Sequence, residues 1–468
     1  MKKHGLFKIL SLTIVGLLVI SWFVKASYYS GSEMVDLGLY RIGLYELFNY
    51  PFLSVQFFII PIVFIITVAA FYGVLGKTGK YRSMVEKLAA KFKGKEILFL
   101  IIASFVLAAL QSVFGYGLLL FIFIPFICSV ILQLGYDKMT ALIVSFISIL
   151  IGTIGSTFDP TIVNTLEQVT GYTANIIPRI GLFVICYVVY LLFLIKYAKK
   201  AKTLNDKKDD KEIDDAFLGE RKNNKKPIWP LIVILSLVFV VLVLGATNWE
   251  TIFNITWFNE MHTAVKTWAI GEDYTVAAYI FGNFLAFGSW TFTDFSLMLI
   301  MASFILKLIY GIKMNDFLDG ISEYIGKIIK PVGIIILAYV VVIITAYHPF
   351  FATIAAWITD LTSKFNIITT TVVTALGSFL NIEMVYLSQS SIPYIASTFT
   401  SDAALNSLTL ISQSIYGLSM IVAPTSIILI LGLEYLNIPY TKWMKSSWKF
   451  IVELLVVILA IIIIVTLV

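Results

Sequence analysis

Apolar runs long enough to cross a bilayer recur from one end of this 468-residue chain to the other. Residues 6–24, 51–76, 180–198, 228–246, 292–311, 331–347 and 451–468 each approach or exceed the ~20 residues a helix needs to traverse the hydrocarbon core. None shows the period-two alternation of barrel strands, so the spans are predicted to be helices. A chain that is 59% hydrophobic and 13% charged, with mean hydropathy +0.93, is excluded from the soluble globular class. The expected fold is an all-α polytopic membrane protein.

Two further runs are apolar but interrupted. Within 139–171 the stretch Gly152-Thr-Ile-Gly-Ser-Thr-Phe-Asp-Pro-Thr161 gathers two glycines, a proline, three threonines, a serine and an aspartate. Lipid offers nothing to backbone groups freed by Gly and Pro, nor to an ionisable carboxyl. Val422-Ala-Pro-Thr-Ser426 interrupts the run 403–436. Broken helices in corresponding places point to the binding site of a transporter built from inverted repeats.

The chain order supports that correspondence. Residues 1–198 form a first half, with a cytoplasm-facing hairpin at about 97–134 (arms joined by Gly115-Tyr-Gly117) and the broken helix 139–171. A charged linker, 199–227, precedes a second half, 228–468, with an outside-facing hairpin at about 366–400 and the broken helix 403–436. Each half runs through a span, an amphipathic piece (350–364 in the second half), two arms, a broken helix and a final span; segment 25–50 is also amphipathic. Surface helices are expected at Met84, Leu88 and Phe92, and at 316–325. Placing 27 of the 34 basic residues inside puts the N-terminus in the cytoplasm and the C-terminus outside. Residues 1–25 lack a small-residue cleavage site and are expected to stay as a first span. The count is nine spans plus two re-entrant hairpins, or eleven or more spans if the arms cross fully.

Ser156, Thr157, Asp159 and Thr161 at the first break are expected to line a polar site where released carbonyls meet an ion or solute. Asp159 can equally be the cap of a helix that starts at Pro160. Pro424, Thr425 and Ser426 form the partner break, with Gln413, Ser414 and Ser419 upstream; a proline kink satisfied by nearby hydroxyls is the alternative. Gln111 and Ser112 belong to the first hairpin tip, and Asn381, Glu383, Ser388, Gln389 and Ser390 to the second. Glu383 reads either as a cation or proton site or as a water-facing loop residue. His348 and His262 are expected at interfaces.

Other chemistries find no support in these residues. Cys128 and Cys186 lie in apolar runs and suit neither a disulfide framework nor a metal centre. No metal-spaced histidines, Ser/His pairing or phosphate loop occurs, so no enzyme activity, metal or cofactor is expected beyond a coupling ion, Na+ or H+. The net charge of +6 resides in loops between spans, a topology signal rather than a nucleic-acid surface. The expected partners are a small-molecule substrate and membrane lipid; a homodimer is left open.

Leu75-Gly-Lys-Thr-Gly79, Leu134-Gly-Tyr-Asp137, Asp159-Pro160 leading to Pro178-Arg179, and Lys196-Tyr-Ala-Lys-Lys200 occur in that order. Ala423-Pro-Thr-Ser-Ile427 and Ile438-Pro-Tyr-Thr-Lys-Trp443 follow. Together they resemble the YfcC-like branch of the anaerobic four-carbon-dicarboxylate carrier and arginine/ornithine antiporter group, within the ion transporter superfamily. The resemblance implies inverted repeats, two opposed hairpins, two unwound helices and alternating access in a bacterial cytoplasmic membrane. It also implies a substrate and ion site formed by the two breaks and the two hairpin tips. The chain departs from the family pattern at Gln111-Ser-Val-Phe-Gly-Tyr-Gly117, at Tyr386-Leu-Ser-Gln-Ser390, and at Asp159, where Asn is common.

The expected activity is secondary active transport of a small polar metabolite, coupled to an ion or counter-solute. Acidic Asp159 and Glu383, with no Lys or Arg expected at depth, favour an amino acid, including arginine/ornithine-like exchange. A four-carbon dicarboxylate carrier is the alternative, and a structural or assembly membrane protein the second.

Overall fold

The computed structural model describes residues 5–30, 33–205, 224–270, 274–280 and 282–467. Its elements, in order, are α1 (Gly5–Phe23), β1 (Ala26–Ser30), β2 (Glu33–Gly38), α2 (Leu44–Lys77), α3 (Tyr81–Lys91), α4 (Glu96–Phe114), α5 (Ile124–Gln133), α6 (Lys138–Leu142), α7 (Ser148–Ile154), α8 (Pro160–Thr170) and α9 (Ile176–Asn205). The chain then continues through α10 (Trp229–Ala246), α11 (Trp249–Phe253), α12 (Trp257–Thr267), β3 (Ala269–Ile270), β4 (Tyr274–Thr275), α13 (Val276–Ile280), α14 (Phe292–Tyr310) and α15 (Met314–Tyr347). Last come α16 (Phe351–Thr359), α17 (Ile367–Leu380), α18 (Met384–Thr398), α19 (Asp402–Val422), α20 (Ile427–Tyr435) and α21 (Tyr440–Leu467). Most of the linker read at 199–227 lies outside the described residues.

Among the described residues nine helices, counting α19 and α20 together, are long and apolar enough to cross a membrane. The protein is an all-α polytopic membrane protein. The expected number of spans recurs with different members: α4 qualifies by length, whereas the helix broken at 155–159 is too short on either side. The arms α17 and α18, 14 and 15 residues long, reach ~21–23 Å at 1.5 Å per residue. That falls short of the ~30 Å core.

Two compact units divide the chain, with boundaries inside α2, α3 and α15. The first contains residues 1–62, 85–217 and 326–468. Here α4 packs on α7 as α17 packs on α19, α9 packs on α7 as α21 packs on α19, and α7 crosses α19. The matched pairings are what an internal repeat predicts. Segment 25–50, expected to be amphipathic, begins with a β-hairpin in which Ala26–Ser30 pairs antiparallel with Glu33–Gly38. Ser27 fixes this hairpin to α16 through a 2.7 Å hydroxyl contact with Thr353. His348 is buried, with Nδ1 2.9 Å from the Tyr40 carbonyl oxygen and Nε2 2.7 Å from the Tyr50 hydroxyl.

The second unit, residues 63–84 and 218–325, contains α10 to α14, the end of α2 and the start of α15. Residues 316–325, expected as a separate surface helix, are continuous with the following span in α15, which accommodates Pro331 in its interior. An apolar groove of about 620 Å³, lined by Leu237, Met261, Val265, Met301 and Ile305 among others, lies in this unit. It holds none of the residues expected to carry chemistry.

Within the second unit α2 and α15 cross at Gly73 and Gly320. A Cβ on Gly73 would overlap the Gly320 carbonyl oxygen, and one on Gly320 would sit 2.9 Å from the Gly73 carbonyl oxygen. Backbone atoms cannot yield as a flexible side chain does. Gly73→Ala is therefore expected to destabilise the protein by about 1–3 kcal/mol, read as earlier thermal unfolding in detergent. Gly326→Ala, which meets open space, leaves unfolding at the wild-type temperature or slightly above.

Candidate functional site

The first break opens where α7 ends at Ile154. It is preceded by a π turn at Ile143–Ile147, a helix irregularity frequent at functional sites. The carbonyls released at the break find partners in other elements. Ser112 Oγ donates to the Gly155 oxygen at 2.6 Å, and Gln413 Nε2 of α19 donates to the Ile154 oxygen at 3.2 Å. In return the Ser112 carbonyl, at the end of α4, accepts from Thr157 N at 2.8 Å and Thr157 Oγ1 at 3.1 Å. The tip of the first arm and the break are thus stitched together through the backbone.

Asp159 sits in this stitch at 1% exposure. Its Oδ1 accepts from Thr161 N at 2.9 Å and Ile162 N at 3.3 Å, so it caps α8. Its Oδ2 faces Gln111 Nε2 at 3.4 Å and Ser156 Oγ at 3.5 Å, contacts too long to be strong hydrogen bonds. The capping reading holds for Oδ1, and Oδ2 is left facing neutral donors. Gly115 makes room for it: φ there is +68°, and a Cβ would overlap Asp159 Oδ1. Gln111 holds the turn, its Oε1 accepting from Gly117 N at 2.5 Å. Ser156 donates chiefly to the Thr153 oxygen at 3.0 Å. The Thr161 side chain is exposed, and only its backbone N–H joins the cluster.

The second break follows the same plan. Thr425 Oγ1 donates to the Phe379 oxygen near the end of arm α17 at 2.9 Å, as Thr157 does to Ser112. Ser426 accepts from Leu429 N at 3.4 Å and caps α20, while Pro424 is buried between the two helices. The carbonyls freed at the end of α19 are taken by α21: Trp443 Nε1 donates to Ile421 at 3.0 Å and Tyr440 OH to Val422 at 2.6 Å. Asn381 ties the second hairpin tip, donating to the Gly377 oxygen at 3.2 Å and Ser390 Oγ at 3.4 Å and accepting from Thr345 Oγ1 at 3.4 Å. The break in the hairpin is only three residues long. Ser388 and Ser390 consequently lie on α18, with hydroxyls bonded to the Val385 and Leu387 carbonyls, rather than in a loop. Glu383 precedes α18 with its side chain exposed and makes no cap bond.

Helix α19 joins the two constellations. Besides Gln413 it supplies Tyr416, whose hydroxyl donates to the Ile382 oxygen at the second hairpin tip at 2.7 Å and lies within electrostatic reach of both Glu383 and Asp159. Helix α18 packs on α8 beside them. Ser412 Oγ and Gln413 Oε1 are each buried with no hydrogen-bond partner; of the two, Gln413 is tied to the end of α7 through its Nε2. Tyr416 and Ser412 carry no local sequence signal; Tyr416 stands one turn beyond Gln413 on a helix already marked by its break.

Among the described residues no ion pair joins Asp159, and no group of His, Cys, Asp or Glu could hold a metal ion. Cys128 and Cys186 are buried free thiols.

Paired breaks, each sewn to a hairpin tip inside a membrane-spanning helical bundle, are the build of a polytopic membrane transporter. The chain belongs to the C4-dicarboxylate anaerobic carrier (DcuC) family, which it matches over residues 59–468. Over 206 residues it is 28% identical to the Escherichia coli K12 protein named "Putative basic amino acid antiporter YfcC". That match covers 42% of this chain and 39% of the relative, so the similarity spans about two-fifths of its length. The crystal structure of the Alcanivorax borkumensis YdaH transporter aligns with all of this chain and 98% of its own, at 12% identity and a TM-score of 0.40.

Proposed function

We propose that the protein is a secondary active transporter that moves a basic amino acid across the cell membrane by alternating access, in exchange for a counter-solute or coupled to Na+ or H+. The observation that carries this reading is Asp159: a buried carboxylate at a helix break whose partners are neutral donors. A buried negative charge without a countercharge is costly, and a substrate ammonium supplies one. Gln413 Oε1, buried and unpartnered on a side chain that already reaches the Ile154 carbonyl at the start of the break, adds a free acceptor beside it. The two breaks, Thr157 and Thr425 bonded to opposite hairpins, provide paired elements that can exchange between inward and outward arrangements.

Proteoliposomes loaded with unlabelled arginine are expected to take up labelled ornithine and arginine, with a response to an imposed Na+ or proton gradient if an ion is coupled. Robust succinate or malate exchange with no response to basic or neutral amino acids would overturn the substrate reading while leaving a carrier. Four-carbon dicarboxylate transport is the second reading, favoured by the family to which the chain belongs.

A further inference from the structure

Arg179 is one of four arginines in the chain and, as a basic residue near the end of a span, reads from sequence as an outside topology marker. The structure buries it to 2% exposure in the first turn of α9. Its Nε and Nη2 are buried with no hydrogen-bond partner. Glu167 on α8 is near enough to act on it electrostatically but forms no ion pair. Position makes the arrangement costlier still. The start of a helix carries partial positive charge, so a cation there is repelled rather than stabilised, and a guanidinium out of water loses hydration that protein partners normally replace. A buried polar group left unsatisfied in this way calls for a ligand or a function.

Two features say which ligand. Nε and Nη2 share one edge of the planar guanidinium, the edge that receives both oxygens of a carboxylate in parallel hydrogen bonds. Arg179 also stands on the helix that packs against the first break. Phe183, four residues on and so on the same helical face, packs against Gly155 so closely that a Cβ on that glycine would overlap the Phe183 Cα. One helical turn, ~5.4 Å, therefore separates the contact with the broken segment from Arg179.

We infer that Arg179 binds the carboxylate of the transported substrate, while Asp159 receives its ammonium. This rests on the proposed amino acid site for the second pole only; carboxylate recognition by Arg179 applies equally to a dicarboxylate. The site then reads a carboxylate and an ammonium of the substrate through opposite charges on two elements, α9 and the break before α8.

The test compares ornithine with putrescine, the same diamine without its carboxylate, in proteoliposomes of the full-length protein. Wild type is expected to favour ornithine. Arg179→Gln is expected to raise KM for ornithine by about ten- to a hundredfold, with Vmax and putrescine uptake little changed, so that the ornithine-to-putrescine preference collapses. Arg179→Lys, which keeps the charge but loses the fork, is expected to fall between. The preference is a ratio taken on the same vesicles and does not depend on how much variant protein folds. If Arg179→Gln keeps the wild-type ratio, whether both uptakes persist or both fall together, the inference is overturned. If wild type moves succinate and not ornithine, the amino acid reading fails alone, and succinate against its monoamide gives the ratio for Arg179. Transport of neither pair overturns both.

Discussion

Asp159→Asn is expected to cut kcat/KM for ornithine by two to three orders of magnitude while leaving thermal unfolding close to wild type. The separation follows from the two oxygens. Oδ1 caps α8 through Thr161 N and Ile162 N, and an asparagine side-chain oxygen caps a helix about as well as that of aspartate. The helix start survives. What disappears is the charge presented by Oδ2 toward Gln111 and Ser156. Removing one partner of a buried charged contact costs about 2–5 kcal/mol, a range that spans the ~2.7–4.1 kcal/mol equivalent to the stated loss. Asp159→Ala removes the cap as well, which costs a further ~0.5–2 kcal/mol of stability, so this variant is expected to unfold earlier in addition to losing transport. Uptake in proteoliposomes, paired with thermal unfolding of the same preparations, resolves the two effects. If the asparagine variant transports ornithine at the wild-type rate, Asp159 is a cap and nothing more.

The spans were legible because lipid leaves a chain few choices. The runs 228–246 and 292–311 became Trp229–Ala246 and Phe292–Tyr310 almost residue for residue, since each backbone polar group in the core must be satisfied within its own helix. The two breaks were legible for the same reason in reverse. The pairing of Ala26–Ser30 with Glu33–Gly38 was missed because hydropathy is blind to it; the Tyr-rich run and the alternation in Glu-Met-Val-Asp-Leu are the short-range strand signals. The groups that satisfy the breaks were illegible for another reason. Gln413 reaches Ile154 across 259 residues, and Trp443 reaches back past α20 to Ile421; no local pattern encodes such pairings. Arg179 misled in the same way, because a basic residue at a span end counts as a topology marker until packing is known.

Gly417→Ala is expected to impair the carrier more broadly than any change of charge. Gly417 lies where α19 crosses the end of α7, and a Cβ there would come within 2.5 Å of Ile154 N and 2.8 Å of Ile154 Cα. Both are backbone atoms, so the helices must separate. Gln413, four residues earlier on the same face, would then lose its 3.2 Å bond to the Ile154 carbonyl, leaving unsatisfied one of the groups that the break exposes. Overpacking costs about 1–3 kcal/mol and the orphaned carbonyl a further ~1–3 kcal/mol, a large share of the margin by which proteins are stable. The expected readouts are a lower unfolding temperature and a fall in Vmax for every substrate, with KM ratios between substrates preserved. Gly333→Ala, where nothing lies within 4 Å, is the neutral counterpart. The contrast with Asp159→Asn follows from geometry: one change alters what the break can bind, the other whether the break of the first half is held against the helix of the second. Wild-type unfolding and uptake in Gly417→Ala would show that the working protein does not hold α7 and α19 this close.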